Sequence, residues 1–231
     1  MFITKFRFYL IMSQIAKNIK EIEETLHGNA RLIAVTKTKP ISVLEETYNY
    51  GFRRFGENKV QEMVSKYDAL PKDIEWHLIG HLQSNKVKYA APFVSMIHSV
   101  DSFKLLKEIN KEAAKNNRII DCLLQIFIAD EETKFGLLPS EAEEILSTAE
   151  LTPLHHIRIA GLMGMASNSD DEQKIRTEFQ GLKALFESFK KYNGPRVSMH
   201  ELSMGMSSDY PIALEEGSTL VRVGSAIFGH R

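Results

Sequence analysis

One pattern constrains this chain more than any other. Short apolar or β-branched runs alternate with amphipathic stretches eight times over. Strands are expected at residues 31–37, 53–57, 75–79, 96–100, 119–128, 157–163, 201–204 and 220–223. Helices are expected at 13–27, 40–50, 58–68, 84–89, 102–115, 139–149, 170–192 and 210–216. The punctuation agrees: Pro40 suits a first helical turn, Gly51 a stop, and Asn58 and either Asp101 or Ser102 a helix cap. Acid at Asp170, Asp171 and Glu172 and base at Lys190 and Lys191 complement the dipole of the longest helix.

Strands that are apolar almost throughout belong to a parallel sheet covered by helices on its outer face. Eight strand–helix units in 231 residues point to a closed (β/α)8 TIM barrel, an α/β fold. The alternative, a doubly wound open sheet, lacks its glycine fingerprint after the first strand. Nothing reads as a linker, so a single domain is expected over 1–231. Residues 1–12 form an extension or a misassigned start, with Met12 as the alternative beginning.

Composition removes several function classes. A hydrophobic fraction of 43% with 26% charged residues excludes disorder and fibrous repeats. Twenty-nine basic residues against 30 acidic ones leave a net charge of -1 and no basic face to make nucleic acid a partner. The opening stretch is broken by Lys5 and Arg7, carries no cleavage-like site, and falls well short of the ~20 residues of a membrane span. A lone cysteine, Cys122, inside an apolar run suits a buried strand position in a reducing compartment. A cytoplasmic protein is expected, without a membrane partner.

In such barrels chemistry collects where the strands end. Lys37, at the end of the first strand, could offer an amine for Schiff-base chemistry if its setting were drier than bulk water. Spacing does not separate it from Lys39, although Lys39 precedes Pro40 and reads as loop. Segments 203–208 and 224–229 combine glycine, whose backbone approaches an anion closely, with the hydroxyls of Ser203, Ser207 and Ser225. They read equally as a phosphate cradle or as ordinary turns. Arg222 interrupts an apolar strand and must find a carboxylate, a phosphate or another acceptor. His77 and His81 are separated by Gly80 and do not share a helical face, so no metal site is expected. Met204 and Met206 are packing residues or the lining of a ligand ring.

Five motifs then occur in order: Ala34-Val35-Thr36-Lys37-Thr38-Lys39-Pro40, Phe55-Gly56-Glu57-Asn58, Trp76-His77-Leu78-Ile79-Gly80 with Leu82-Gln83-Ser84-Asn85-Lys86, Leu202-Ser203-Met204-Gly205-Met206-Ser207, and Val221-Arg222-Val223-Gly224-Ser225-Ala226-Ile227-Phe228-Gly229. Together they resemble the pyridoxal phosphate homeostasis proteins, the proline synthetase co-transcribed homologue family, over residues 15–229. The resemblance implies a barrel similar to the amino-terminal domain of alanine racemase, binding pyridoxal 5′-phosphate (PLP) as an aldimine on Lys37. It assigns the phosphate to Ser203, Met204, Gly205, Gly224 and Ser225, the pyridine nitrogen to Arg222, and the pocket wall to Asn58, with His77 nearby. Lys59 stands where an aromatic residue is common in the family.

Arginine only donates hydrogen bonds, so a pyridine nitrogen facing Arg222 stays unprotonated and is a poor electron sink. A chain that ends with the barrel is also expected to lack the second domain that gives alanine racemase its opposing tyrosine. Both points favour a non-catalytic PLP carrier acting in homeostasis and supply. It would be a monomer, with PLP-dependent apo-enzymes as its recipients. The alternatives are a racemase of low activity, drawing its acid/base from His77, His81 or Tyr210, and a cofactor-free aldolase using Lys37.

Overall fold

Burial on both faces of every strand sets the architecture. The computed structural model describes residues 13–28, 30–129 and 136–229; the extension expected at 1–12 lies outside them. Eight parallel strands pair in sequence order and close into a barrel: β1 (Arg31–Val35), β2 (Arg54–Glu57), β3 (Glu75–Leu78), β4 (Met96–Val100), β5 (Ile120–Ile126), β6 (Ile157–Gly164), β7 (Val197–Ser203) and β8 (Leu220–Val223). Closure joins β8 to β1, with Arg31 opposite Leu220 and Ala34 opposite Val223.

Helices wrap the outside: α1 (Gln14–Thr25), α2 (Ile41–Asn49), α3 (Val60–Ala69), α4 (Val87–Ala90), α5 (Phe103–Lys115), α6 (Pro139–Ser147), α7 (Glu172–Phe189), α8 (Tyr210–Glu215) and α9 (Ser225–Phe228). Each long helix presents one apolar stripe to the sheet. In α7 this is Ile175, Phe179, Leu182, Phe186 and Phe189, at helical spacing. The caps are local chemistry. Ser13 accepts from Ala16 N–H, Ser102 from Leu105 N–H, and Asp171 from the N–H groups of Gln173 and Lys174.

Period-two alternation divides the buried side chains. Leu32, Ala34, Cys122, Leu124, Val221 and Val223 point outward into the layer beneath the helices. Ile33, Met96, Leu123, Ala160, Met163 and Leu220 point inward and fill the barrel. Cys122 is fully enclosed, as its apolar run suggested, and burial pushes its thiol well above the ordinary range.

Three expectations change. Asn58 does not cap α3: Lys59 holds that place without a side-chain bond. Strand β7 begins at Val197 rather than 201, because buried Val197 and Met199 alternate with the more accessible Ser198 and His200. Strand β5 stops at Ile126, and Ile119, expected within it, is 64% exposed. Helix α9 was not anticipated, and it places Gly224 and Ser225 at a sharp turn directly after β8.

Candidate functional site

The carboxyl ends of β1, β2, β3, β6, β7 and β8 surround an open cleft of about 440 Å³. Its lining comprises Lys37, Asn58, Arg222, Gly224, Ser225, Met206, Ser207 and Ser208, with apolar walls from Val35, Ile79 and Met165. A smaller recess beside it is lined by Lys37, Thr38, Lys39, Gly224, Ser225 and Gly229. The two lysines now separate. Lys39 Nζ donates to the carbonyls of Phe228 at 3.1 Å and Gly229 at 3.4 Å, tying down the end of α9. Lys37 borders both cavities. Its side chain is exposed, so the drier setting expected for it is not found.

The backbone that carries Lys37 is held from below. Thr36 is fully buried; its hydroxyl donates to Glu57 Oε1 at 2.6 Å, and its carbonyl accepts from Lys66 Nζ at 2.8 Å. Lys66, also buried, donates to Glu57 and Glu62, each at 2.7 Å. Glu62 in turn accepts from Thr38 N–H at 2.6 Å. Burial pushes the Glu57 carboxyl above its usual range, against hydrogen bonds from Lys66 and Thr36 that draw it down. Thr36, Thr38 and Glu57 lie within the strand-end motifs without an assigned role, and nothing in the sequence singles out Glu62 or Lys66, which read as two more charges on a helix.

Arg222 enters the barrel from β8 and is 4% exposed. Its guanidinium donates to Ser203 Oγ at 2.6 Å and to the Gly164 carbonyl at 3.0 Å. These neutral acceptors answer the choice left open between a carboxylate and another partner. Burial lowers its pKa to about 10, with the charge of Asp209 pulling the other way. The chain continues inward: Ser203 Oγ is 2.9 Å from His98 Nδ1, and His98 Nε2 is 3.0 Å from His77 Nδ1. Burial, then the charges of Arg31 and Arg54, push His77 down to about 3. Burial holds His98 well below the usual histidine range too. Both imidazoles are therefore neutral, and Arg222 carries the charge of this polar column.

The expected site residues thus divide. Lys37, Asn58, Arg222, Gly224 and Ser225 line the cleft together. Ser203, Met204, Gly205 and His77 do not. The Ser203 hydroxyl is engaged beneath Arg222, Met204 is fully buried in the outer core, and His77 lies inside the barrel. Gly205 contributes through its backbone: φ is +92°, and an added Cβ would fall 2.6 Å from Ala213 Cβ. Its carbonyl accepts from Arg222 N–H at 2.9 Å. Gly80 has a comparable role, since a Cβ there would lie 2.5 Å from the Asn58 carbonyl oxygen. That close approach lets the loops after β2 and β3 pack and sets Asn58 on the rim.

Ser207 Oγ accepts from Gly224 N–H at 3.1 Å and Ala226 N–H at 3.4 Å. Two amides converging on one oxygen is the arrangement an anionic oxygen uses. The donor set as a whole fits a small planar anion with a carbonyl group. Backbone amides and three serine hydroxyls suit a phosphate, apolar walls suit a ring, Arg222 suits an accepting ring atom, and Lys37 supplies a primary amine. Of the two methionines left open, Met206 lines the cleft and Met204 is packing.

The other titratable candidates lie elsewhere. His81 is paired with Asp101 at 3.1 Å, and Tyr210 packs against the outer core. A larger groove of about 580 Å³ runs beside α7, but Lys37 and Arg222 take no part in it. Among the described residues no cluster of three or more His, Cys, Asp or Glu side chains could hold a metal, and no helix is long and apolar enough to cross a membrane.

Residues 11–231 match the family model of the alanine racemase N-terminal domain. The pyridoxal phosphate homeostasis protein of Aquifex aeolicus is 42% identical over 205 residues, covering 87% of each chain. The solved structure of PipY from Synechococcus elongatus PCC7942 with PLP bound superposes with a TM-score of 0.83 at 35% identity, over 93% of this chain and all of that one. Alanine racemase from Bartonella henselae shares the fold, with a TM-score of 0.72 at 16% identity; the match covers 94% of this chain and 58% of the racemase.

Proposed function

The chain belongs to the pyridoxal phosphate homeostasis protein family, and from that premise we propose that it binds PLP reversibly on Lys37 and serves intracellular PLP homeostasis as a carrier. The observation that supports this best is the convergence of the Lys37 amine and the Arg222 guanidinium on one cleft with the Gly224-Ser225 turn. When bound, PLP supplies an aldehyde that condenses with a primary amine and a ring that can delocalise charge.

In this reading Lys37 holds the cofactor covalently and Arg222 donates to its ring nitrogen. Ser207, Ser208 and Ser225 hold the phosphate, with the Ser207 hydroxyl seated on the amides of Gly224 and Ala226. Asn58 closes one side of the cleft, while Val35, Ile79, Met165 and Met206 exclude water from the ring faces. Gly205 shapes the phosphate side. Ser203 and His77 serve the site from inside the barrel through Arg222, rather than by touching the cofactor.

Two features favour a carrier over a racemase. Arg222 keeps the ring nitrogen unprotonated, which weakens the ring as an electron sink. Moreover, none of the described residues lining the cleft is an Asp, Glu, His or Tyr. Racemisation needs a second group that moves protons besides the lysine. His77, His81 and Tyr210, the available alternatives, are each engaged outside the lining. We further propose that the protein works in the cytoplasm as a monomer and passes cofactor to PLP-dependent apo-enzymes. The single, buried Cys122 is consistent with that compartment.

Borohydride reduction in the presence of PLP, followed by peptide mapping, tests the assignment. A stable pyridoxyl group on Lys37 is the expected result. Modification spread over Lys39 and surface lysines, with Lys37 no more labelled than they are, would contradict it.

A further inference from the structure

Lys37 sits in a turn whose shape is unusual for its residues. The turn runs from Thr36 to Lys39 and is closed by Lys39 N–H donating to the Thr36 carbonyl at 3.0 Å. Its third residue, Thr38, has φ +65°, a position where glycine is the ordinary occupant. The other described non-glycine residue with positive φ is Asn117, of a type that tolerates it; a β-branched threonine does not. Such a conformation persists only where the surroundings impose it.

Three hydrogen bonds to neighbouring charged side chains impose it. The Thr36 hydroxyl is bound by Glu57, its carbonyl by Lys66, and the Thr38 N–H by Glu62. Lys66 bridges the two carboxylates. Both chain neighbours of Lys37 are therefore gripped by one charged cluster from β2 and α3, while its own side chain extends toward the cleft. We infer that Glu57, Lys66 and Glu62 are positioning residues: they hold the Thr36–Lys39 turn in its strained form and so set how fast Lys37 captures an aldehyde.

The inference rests on the proposed PLP reading and goes beyond it by assigning a role to residues outside the cleft. The step it concerns is a condensation. The neutral Lys37 amine adds to the aldehyde carbon, a carbon–nitrogen double bond forms, and the carbonyl oxygen leaves as water with the two hydrogens of the amine. A displaced turn should slow that step while leaving the phosphate and ring contacts intact.

Two probes separate these effects. The rate of PLP capture is read from visible absorbance, and affinity for the site without the covalent bond is read with pyridoxine 5′-phosphate, which has an alcohol in place of the aldehyde. Glu62→Ala is expected to slow capture on the order of ten- to a hundredfold, with pyridoxine 5′-phosphate affinity changed by no more than about twofold. Glu62→Gln, which keeps the accepting oxygen, should restore most of the rate. Lys66→Met should slow capture at least as much; if it fails to fold, the two Glu62 variants carry the test. Wild-type capture rates in Glu62→Ala, or a parallel loss of rate and affinity, would overturn the inference while leaving the PLP reading intact. A wild-type protein that binds neither probe would instead remove that reading, and the inference with it.

Discussion

Arg222 Nη1 donates to Ser203 Oγ at 2.6 Å inside the barrel, so the serine assigned to the phosphate by resemblance is the seat of the arginine. Behind it, His98 and His77 continue the polar column to the barrel interior.

Ser203→Ala would remove an acceptor from a fully buried guanidinium and a partner from His98. A loss of about 1–3 kcal/mol in stability is expected, the usual cost of leaving buried polar groups unsatisfied. Arg222→Glu should cost more, about 3–5 kcal/mol, because an unpaired carboxylate would face the Gly164 carbonyl. Denaturant unfolding measures both, and cofactor content should fall with them. Unchanged cofactor content in Arg222→Glu would count against its place in the site.

The histidine column predicts an acid limb in the stability profile. His77 is pushed down to about 3 and His98 well below the normal range, whereas in the unfolded chain each titrates near ~6.5. Between those values the unfolded chain binds more protons than the folded one. The contribution is therefore complete above pH ~6.5 and is lost as the pH falls toward 3, at up to about 1.4 kcal/mol per pH unit for each histidine. Thermal unfolding between pH 6.5 and 5, above most carboxylate titrations, should show this slope. Replacing His98 with Asn should flatten it; an equally steep slope in that variant would contradict the assignment.

The phosphate side can be probed without disturbing Lys37. Ser207→Ala with Ser225→Ala should weaken binding of PLP while leaving unphosphorylated pyridoxal nearly unaffected. Equilibrium titration of both ligands decides the matter. If the double variant still prefers the phosphorylated aldehyde as strongly, the phosphate is held elsewhere.

Gly205→Ala tests the backbone of the same wall. The new Cβ would collide with Ala213 at a φ of +92°, so a loss of about 1–3 kcal/mol is expected. PLP retention should decline in parallel, because the Gly205 carbonyl also holds the Arg222 backbone. A variant as stable as the wild type would show that the wall can shift.

Much of this was legible in the residues. The eight-fold alternation specified the barrel, since strands buried on both faces leave few other folds, and the strand-end motifs brought Lys37, Asn58, Arg222, Gly224 and Ser225 to one cleft. What escaped was side-chain direction. Met96 faces inward, so strand parity also turns His98 inward, yet His98 reads as an ordinary residue of an apolar run. Parity likewise turns Ser203 into the barrel instead of up into the following loop. The Glu57–Lys66–Glu62 cluster was hidden for another reason: a buried lysine on a helix looks like a solvated one until its partners are known.

The most direct test of the central claim is the visible absorbance spectrum of the purified protein incubated with PLP, recorded beside Lys37→Ala. A yellow band in the wild type that is absent from the variant is the predicted result. A colourless wild type, or a band that survives loss of Lys37, would contradict the account of a lysine-held cofactor.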